Sequence, residues 1–97
     1  MKIKTYSEFW PFYLKEHSHP LNRLLHFIGT SLGIALLLEG LISGRMIFLL
    51  IALVSGYAFA WVGHFFIEKN KPATFQYPFW SFISDFRMWF LMLIRKL

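Results

Sequence analysis

Two apolar runs with three residues between them constrain this chain more than anything else in it. Residues 24–42 are broken only by His26, a few small polar residues and Glu39; residues 46–67, "MIFLLIALVSGYAFAWVGHFFI", are broken only by His64. A helix of about 20 mostly apolar residues crosses the hydrocarbon core of a bilayer, and both runs are near that length. Only "SGR", residues 43–45, joins them. So short a connection forces the two helices to lie antiparallel. Small residues on the first run (Gly29, Ser31, Gly33, Ala35) and on the second (Ser55, Gly56, Ala58, Ala60) let the backbones approach closely.

A soluble fold is the poorer alternative. With 97 residues the chain is one domain, yet 57% of it is hydrophobic, 21% aromatic and only 15% charged. A domain of this size has more surface than core, so water would meet a large apolar area. Lipid is the better solvent. Cysteine is absent, which removes disulfides and thiolate chemistry. The formal net charge of +5 does not point to nucleic acid, because the basic residues are scattered singly and no soluble nucleic-acid module fits around two long apolar runs. It reads instead as attraction to anionic headgroups and as a topology signal.

The expected fold is therefore all-α: an integral membrane helical hairpin with an N-terminal interfacial helix and a C-terminal helix that is either amphipathic or a third span. Residues 1–23 form an aromatic-rich arm without the continuous apolar stretch of a signal peptide. Residues 68–78 form a loop, in which Pro72 stops one helix and Pro78 precedes the next. Residues 79–97 are of helical length, with Ser81, Ser84, Asp85 and Met88 on one narrow stripe. Lys2, Lys4, Lys15, Arg23, Lys69 and Lys71 flank one end of the hairpin and only Arg45 the other, which puts the first end on the cytoplasmic side. Trp10, Tyr13, Trp61, Tyr77 and Trp80 suit an aromatic belt there.

The hairpin also measures where the histidines lie. His26 precedes Gly44 by 18 residues and His64 follows it by 20. Both therefore rise roughly 27–30 Å from the turn and end at nearly one depth. His17 and His19 lead into the first helix and start near that level. Imidazole is the commonest metal ligand, and several converging beside a carboxylate could hold Fe(II) or Zn(II). The competing reading is that interfacial histidines only hydrogen-bond to headgroups or backbone. A cap role before Pro20 fully explains His19. Glu68, one turn after His64, either serves the site or pairs with Lys69 or Lys71. Glu39 pairs with Arg45 or snorkels. Asp85 either partners a ligand histidine or pairs with Arg87. The HExxH arrangement of zinc proteases is absent.

The stretches "HSHPLNRLLHFIGT", "WVGHFFIEKNKPATF" and "YPFWSFISDFRMW" together resemble the 2-hydroxy-palmitic acid dioxygenase-like family of small membrane proteins. The similarity runs over nearly the whole chain and keeps order and spacing. The resemblance implies Fe(II)-dependent α-oxidation, in which a 2-hydroxy fatty acid and O2 give a fatty acid one carbon shorter without 2-oxoglutarate. His17, His26 and His64 match the family's histidines and are the implied metal ligands, with His19 an optional fourth. Glu68 and Asp85 are candidate catalytic carboxylates. Arg23, Lys69 and Lys71 are candidate partners of the substrate carboxylate, Arg23 first because it lies one turn from His26. The expected surroundings are a bacterial inner membrane or the endoplasmic reticulum, with membrane lipid as partner, no nucleic acid, and room for a homo-oligomer. The alternative is a non-enzymatic membrane protein with a structural metal or haem.

Overall fold

In a computed structural model the described residues, 3–97, fold into four helices with no strand among them. They are α1 (Tyr6–Glu16), α2 (Pro20–Ser43), α3 (Ile47–Val62) and α4 (Pro78–Leu93). From Gly63 to Glu68 α3 widens without a break into a π-helical segment, and Ala73–Phe75 forms a short 3₁₀ turn before α4. Lys2, one of the basic residues read as a topology signal, lies outside the described residues.

Local chemistry explains the boundaries. Thr5 caps α1, its hydroxyl accepting the Glu8 N–H at 3.3 Å, while Glu8 reaches back to the Lys4 N–H at 3.1 Å. His19 caps α2 through Nδ1, which accepts the Leu21 N–H at 3.1 Å, and Pro20 takes the first helical position. That cap starts α2 a turn before the apolar run itself. Gly44 ends α2 at φ 72°, a left-handed conformation that costs glycine nothing.

The antiparallel pair expected from the short connection is present. α2, and α3 together with the π segment (Ile47–Glu68), are both long and apolar enough to cross a membrane, and the described residues measure 44 × 26 × 26 Å. Gly29 sits where the two helices touch. A Cβ there would lie 2.7 Å from Phe59 Cβ and 3.2 Å from the Gly56 carbonyl, so only glycine permits this approach.

What is buried lies mainly at the end of the hairpin away from Gly44. Phe9, Tyr13, Ala73 and Met88 form the cluster there, with Trp10, Phe12, Tyr77 and Trp80 packed against it. Along the hairpin itself the outward side chains remain exposed, Ile42 at 82% and Leu41 at 66% among them. The stripe on α4 faces inward: Ser81, Ser84 and Met88 are all buried. Arg87 does not pair with Asp85. Its guanidinium lies 4.0 Å from the Trp10 ring centroid, a cation–π contact that leaves Asp85 to Tyr13. Arg45 likewise lies over Phe48, 5.4 Å from its centroid, instead of meeting Glu39.

The Gly29 contact is directly testable. Gly29→Val should destabilise the detergent-solubilised protein by about 1–3 kcal/mol, the range for overpacking. Gly56→Ala should be nearly neutral, because its added Cβ would meet nothing nearer than the Gly29 carbonyl at 3.8 Å. Thermal unfolding of the two variants side by side is the check; equal midpoints would show that the helices do not meet there.

Candidate metal centre

Three separate segments each deliver one histidine to a single point. His17 follows the last turn of α1, His26 lies on α2 and His64 on the π segment; all three are buried. The ring centroids are 4.4 Å (His17–His26), 4.4 Å (His17–His64) and 4.9 Å (His26–His64) apart. The rings stand nearly perpendicular to one another, at 86°, 80° and 89°.

The register that achieves this has identifiable causes. A Cβ on Gly63 would collide with the side chain of Asn22, which is fully buried and has no partner for its amide. Glycine therefore lets α2 and the π segment touch. His26 lies one turn after Asn22 and His64 one residue after Gly63, so the contact sets their rings side by side. The wider π turn then folds the chain back: Lys69 adopts φ 60°, and the N–H groups of Lys69 and Asn70 both point to the His64 carbonyl. Such π turns inside α-helices are frequent at functional sites.

The hydrogen bonds decide which nitrogen faces the centre. His17 Nδ1 lies 2.6 Å from the Tyr13 carbonyl, His26 Nδ1 3.0 Å from the Asn22 carbonyl, and His64 Nδ1 2.7 Å from Asn70 Oδ1. A carbonyl oxygen only accepts, so each Nδ1 carries the proton and each neutral ring presents a bare Nε2. Burial holds His17 in that neutral state by pushing its pKa well below the usual value, with His26 and His64 adding to the effect. The Nε2 atoms of His17 and His26 then face each other at 3.1 Å with lone pair against lone pair. A cation relieves that opposition. With metal–nitrogen bonds of about 2.1 Å, ligands at right angles lie about 3.0 Å apart. The third nitrogen is farther out, the ligand atoms lying within 4.8 Å of one another, so a bound ion would draw it inward. The residues fit a metal ion.

A void of about 10 Å³ adjoins the three rings, walled also by Tyr13, Ser81 and Asp85. Its volume is of the order of one water molecule or ion. The Ser81 hydroxyl at its wall is buried and has no partner. Asp85 accepts the Tyr13 hydroxyl at 2.5 Å, and burial pushes its carboxyl up to about 7, against the lowering effect of that bond. Tyr13 also stacks on the His17 ring, centroids 4.0 Å apart. A second, apolar cavity of about 260 Å³ runs along the hairpin and shares His26, Ala60 and Asp85 with the small void.

The other candidates lie elsewhere. His19 is exposed and occupied as the cap of α2, outside the three-histidine cluster. Glu68 accepts the backbone N–H of His19, which fastens the start of α2 to the end of the π segment; it does not pair with Lys69 or Lys71. Arg23 donates from Nε to the His17 carbonyl at 2.6 Å and so braces a ligand's backbone. Neither Arg23 nor the exposed Lys69 and Lys71 lines the two cavities. Sequence reasoning passed over Asn70, whose side chain holds His64 and also donates to the Glu16 carbonyl at 3.1 Å, tying two ligand-bearing segments together. Its place in "EKNKP" was the available signal. From sequence Tyr13 belongs only to the aromatic belt and Ser81 only to the α4 stripe.

Comparison with known proteins identifies the family. A family model described as 2-hydroxy-palmitic acid dioxygenase Mpo1-like matches residues 3–97. The chain belongs to this family. No curated protein and no solved structure matches it. The matched range includes all three histidines and the Asn70 loop.

The hydrogen-bond frame makes a prediction about Asn70. Asn70→Ala should weaken metal binding about 10–100-fold, the usual cost of losing a histidine's orienting partner, while Asn70→Asp should keep most of it. His26→Ala with His64→Ala should abolish binding, and His19→Ala should leave it intact. Titration of metal-stripped protein with Co(II), followed by its visible absorption, measures all four; full binding by the double histidine variant would end the metal assignment.

Proposed function

We propose that this chain is a mononuclear Fe(II) dioxygenase of the membrane that converts 2-hydroxy fatty acids into fatty acids one carbon shorter. The observation that carries the reading is the set of three inward Nε2 atoms beside a small void that shares three wall residues with an apolar cavity. Family membership supplies the substrate class.

Fe(II) held by His17, His26 and His64 would supply Lewis acidity and redox chemistry toward O2 and a chelating 2-hydroxy acid. Three protein ligands leave coordination positions free for both. The overall balance needs no co-substrate: RCH(OH)COOH and O2 give RCOOH, CO2 and water. The acid loses four electrons and O2 takes four. Haem is the poorer occupant, because rings packed within 5 Å of each other leave no slot for a macrocycle.

Each side chain then has a role. Ser81 offers its unused hydroxyl to the head of the substrate, and Asp85 is placed to hold or release a proton at the same wall. Tyr13 remains a protonated donor to Asp85, since burial foremost, and then the Asp85 charge, raise its pKa. Arg23 positions His17 by holding its carbonyl, and with Lys69 and Lys71 it adds positive charge at the same end of the molecule without lining either cavity. Glu68 serves as a fastener between helices.

The iron-loaded, detergent-purified protein should turn 2-hydroxypalmitate into a 15-carbon acid with consumption of O2 and no requirement for 2-oxoglutarate. Palmitate should be inert, because it lacks the second oxygen for chelation. Product mass spectrometry decides; iron-loaded protein that leaves 2-hydroxy acids of every length unchanged in air would refute the activity.

The same reading places the histidine end at the cytoplasmic face of the membrane. The chain has no cysteine, so Lys4→Cys, Gly44→Cys and Lys71→Cys can each be probed with an impermeant thiol reagent. The Lys4 and Lys71 sites should label from the cytoplasmic side and the Gly44 site from the other. Labelling of the first two from opposite sides would exclude a hairpin with this orientation.

A further inference from the structure

We infer that the apolar cavity along α2 and α3, walled on its third side by Phe82, Asp85 and Phe86 of α4, is the acyl-chain channel of this protein, and that Gly56 and Gly33 set how far a chain can enter it. The inference rests on the proposed activity for the identity of its ligand, but not for the existence or depth of the channel.

Three observations support it. The cavity of about 260 Å³ is continuous in its walls with the small void at the histidines, since His26, Ala60 and Asp85 line both. The void contains a polar group without a partner, the Ser81 hydroxyl, buried to 1% exposure, as a hydrophilic head would require. Beyond the three shared residues the wall is mainly apolar and includes glycines. Gly56 and Gly33 both line it, and neither is required by packing: an added Cβ would meet nothing closer than 3.8 Å at Gly56 and 3.4 Å at Gly33. Gly29 differs, because helix contact demands it. An amphiphile with a small polar head and one apolar tail matches this division between a polar void and an apolar cavity.

The helix provides the ruler. Leu37 lines the far end of the channel and lies eleven residues beyond His26, a descent of roughly 16 Å. An extended hydrocarbon advances about 1.25 Å per bond, from C–C bonds of about 1.5 Å at near-tetrahedral angles. The channel therefore takes about 13 carbons beyond the hydroxy-acid head, and acids of about 14–16 carbons fill it. Gly56 packs at the level of Gly29, three residues below His26 and so about 4 Å down. Gly33 is seven residues below His26, about 10 Å down.

Two plugs at two depths test the channel. Gly56→Leu should restrict turnover to acids of about six carbons or fewer, and Gly33→Leu to about ten, with iron content unchanged in both. Gly33→Ala, which adds only a methyl group, should shorten the optimum by one or two carbons and guards against misfolding of the larger variants. A 2-hydroxypalmitate carrying a diazirine on its terminal carbon gives a readout independent of iron and turnover. Irradiation should label Leu49 or Ala52, the less exposed residues of the lining, in the natural protein, and Gly33→Leu should abolish that labelling. Unchanged length cut-offs in an active enzyme, or adducts confined to outward residues such as Leu38 and Leu41, would overturn the channel and leave the activity standing. Labelling of the channel without turnover of any acid would support the channel and refute the activity. A two-tailed phospholipid retained in the cavity and not displaced by 2-hydroxy acids would also overturn it.

Discussion

The structure depends on three imidazoles each giving its Nδ1 proton to an oxygen. Tyr13, Asn22 and Asn70 supply those oxygens, and the effect is that three neutral rings aim bare Nε2 atoms at one place. Without a cation two of those lone pairs oppose each other at 3.1 Å in a buried setting. Such an arrangement is unfavourable for its own sake, and a bound metal ion turns it into attraction. The rest of the fold can be read as the means of holding that triad together.

Those means are modest, as suits a small chain. Asn70 joins the π segment to α1, Glu68 joins it to the start of α2, and Arg23 holds the carbonyl of His17. An aromatic cluster around Phe9 and Tyr13 closes the same end. Every one of these contacts lies within a short distance of the histidines, while the far half of the hairpin shows its leucines outward. The polar bonds therefore sit where the chemistry is, and the remaining surface suits an apolar solvent. One end of the molecule holds the histidine cluster, and the other is an apolar hairpin along which a half-open cavity runs.

The separation between a small polar void and a larger apolar cavity suits a substrate with the same division. A 2-hydroxy acid has two oxygens for a metal and a tail that water rejects. His26 and Asp85 stand where the two spaces meet. Asp85 is thus the one carboxylate of the candidate pair placed on the wall of the site, whereas Glu68 is engaged in holding helices together.

Several of these features were legible in the sequence because they depend on local properties. Hydropathy and run length specified two long helices, "SGR" specified their antiparallel course, and counting from Gly44 brought His26 and His64 to one depth. Pro20 after His19 marked a helix start and explained why His19 is a cap. His17 was implied by family resemblance, since spacing only placed it near the right level. The tertiary structure alone decided which ring nitrogen faces inward, because the oxygens that orient His26 and His17 lie one helical turn away and that of His64 comes from a loop reached through a π turn. It alone gave Asp85 to Tyr13 and turned Arg87 to Trp10, since either pairing requires α1 and α4 to be packed together. The void and the channel likewise exist only between elements. Periodicity tells which face of a helix is apolar; the register between faces far apart in sequence is set by contacts such as Gly63 on Asn22, which no single segment contains.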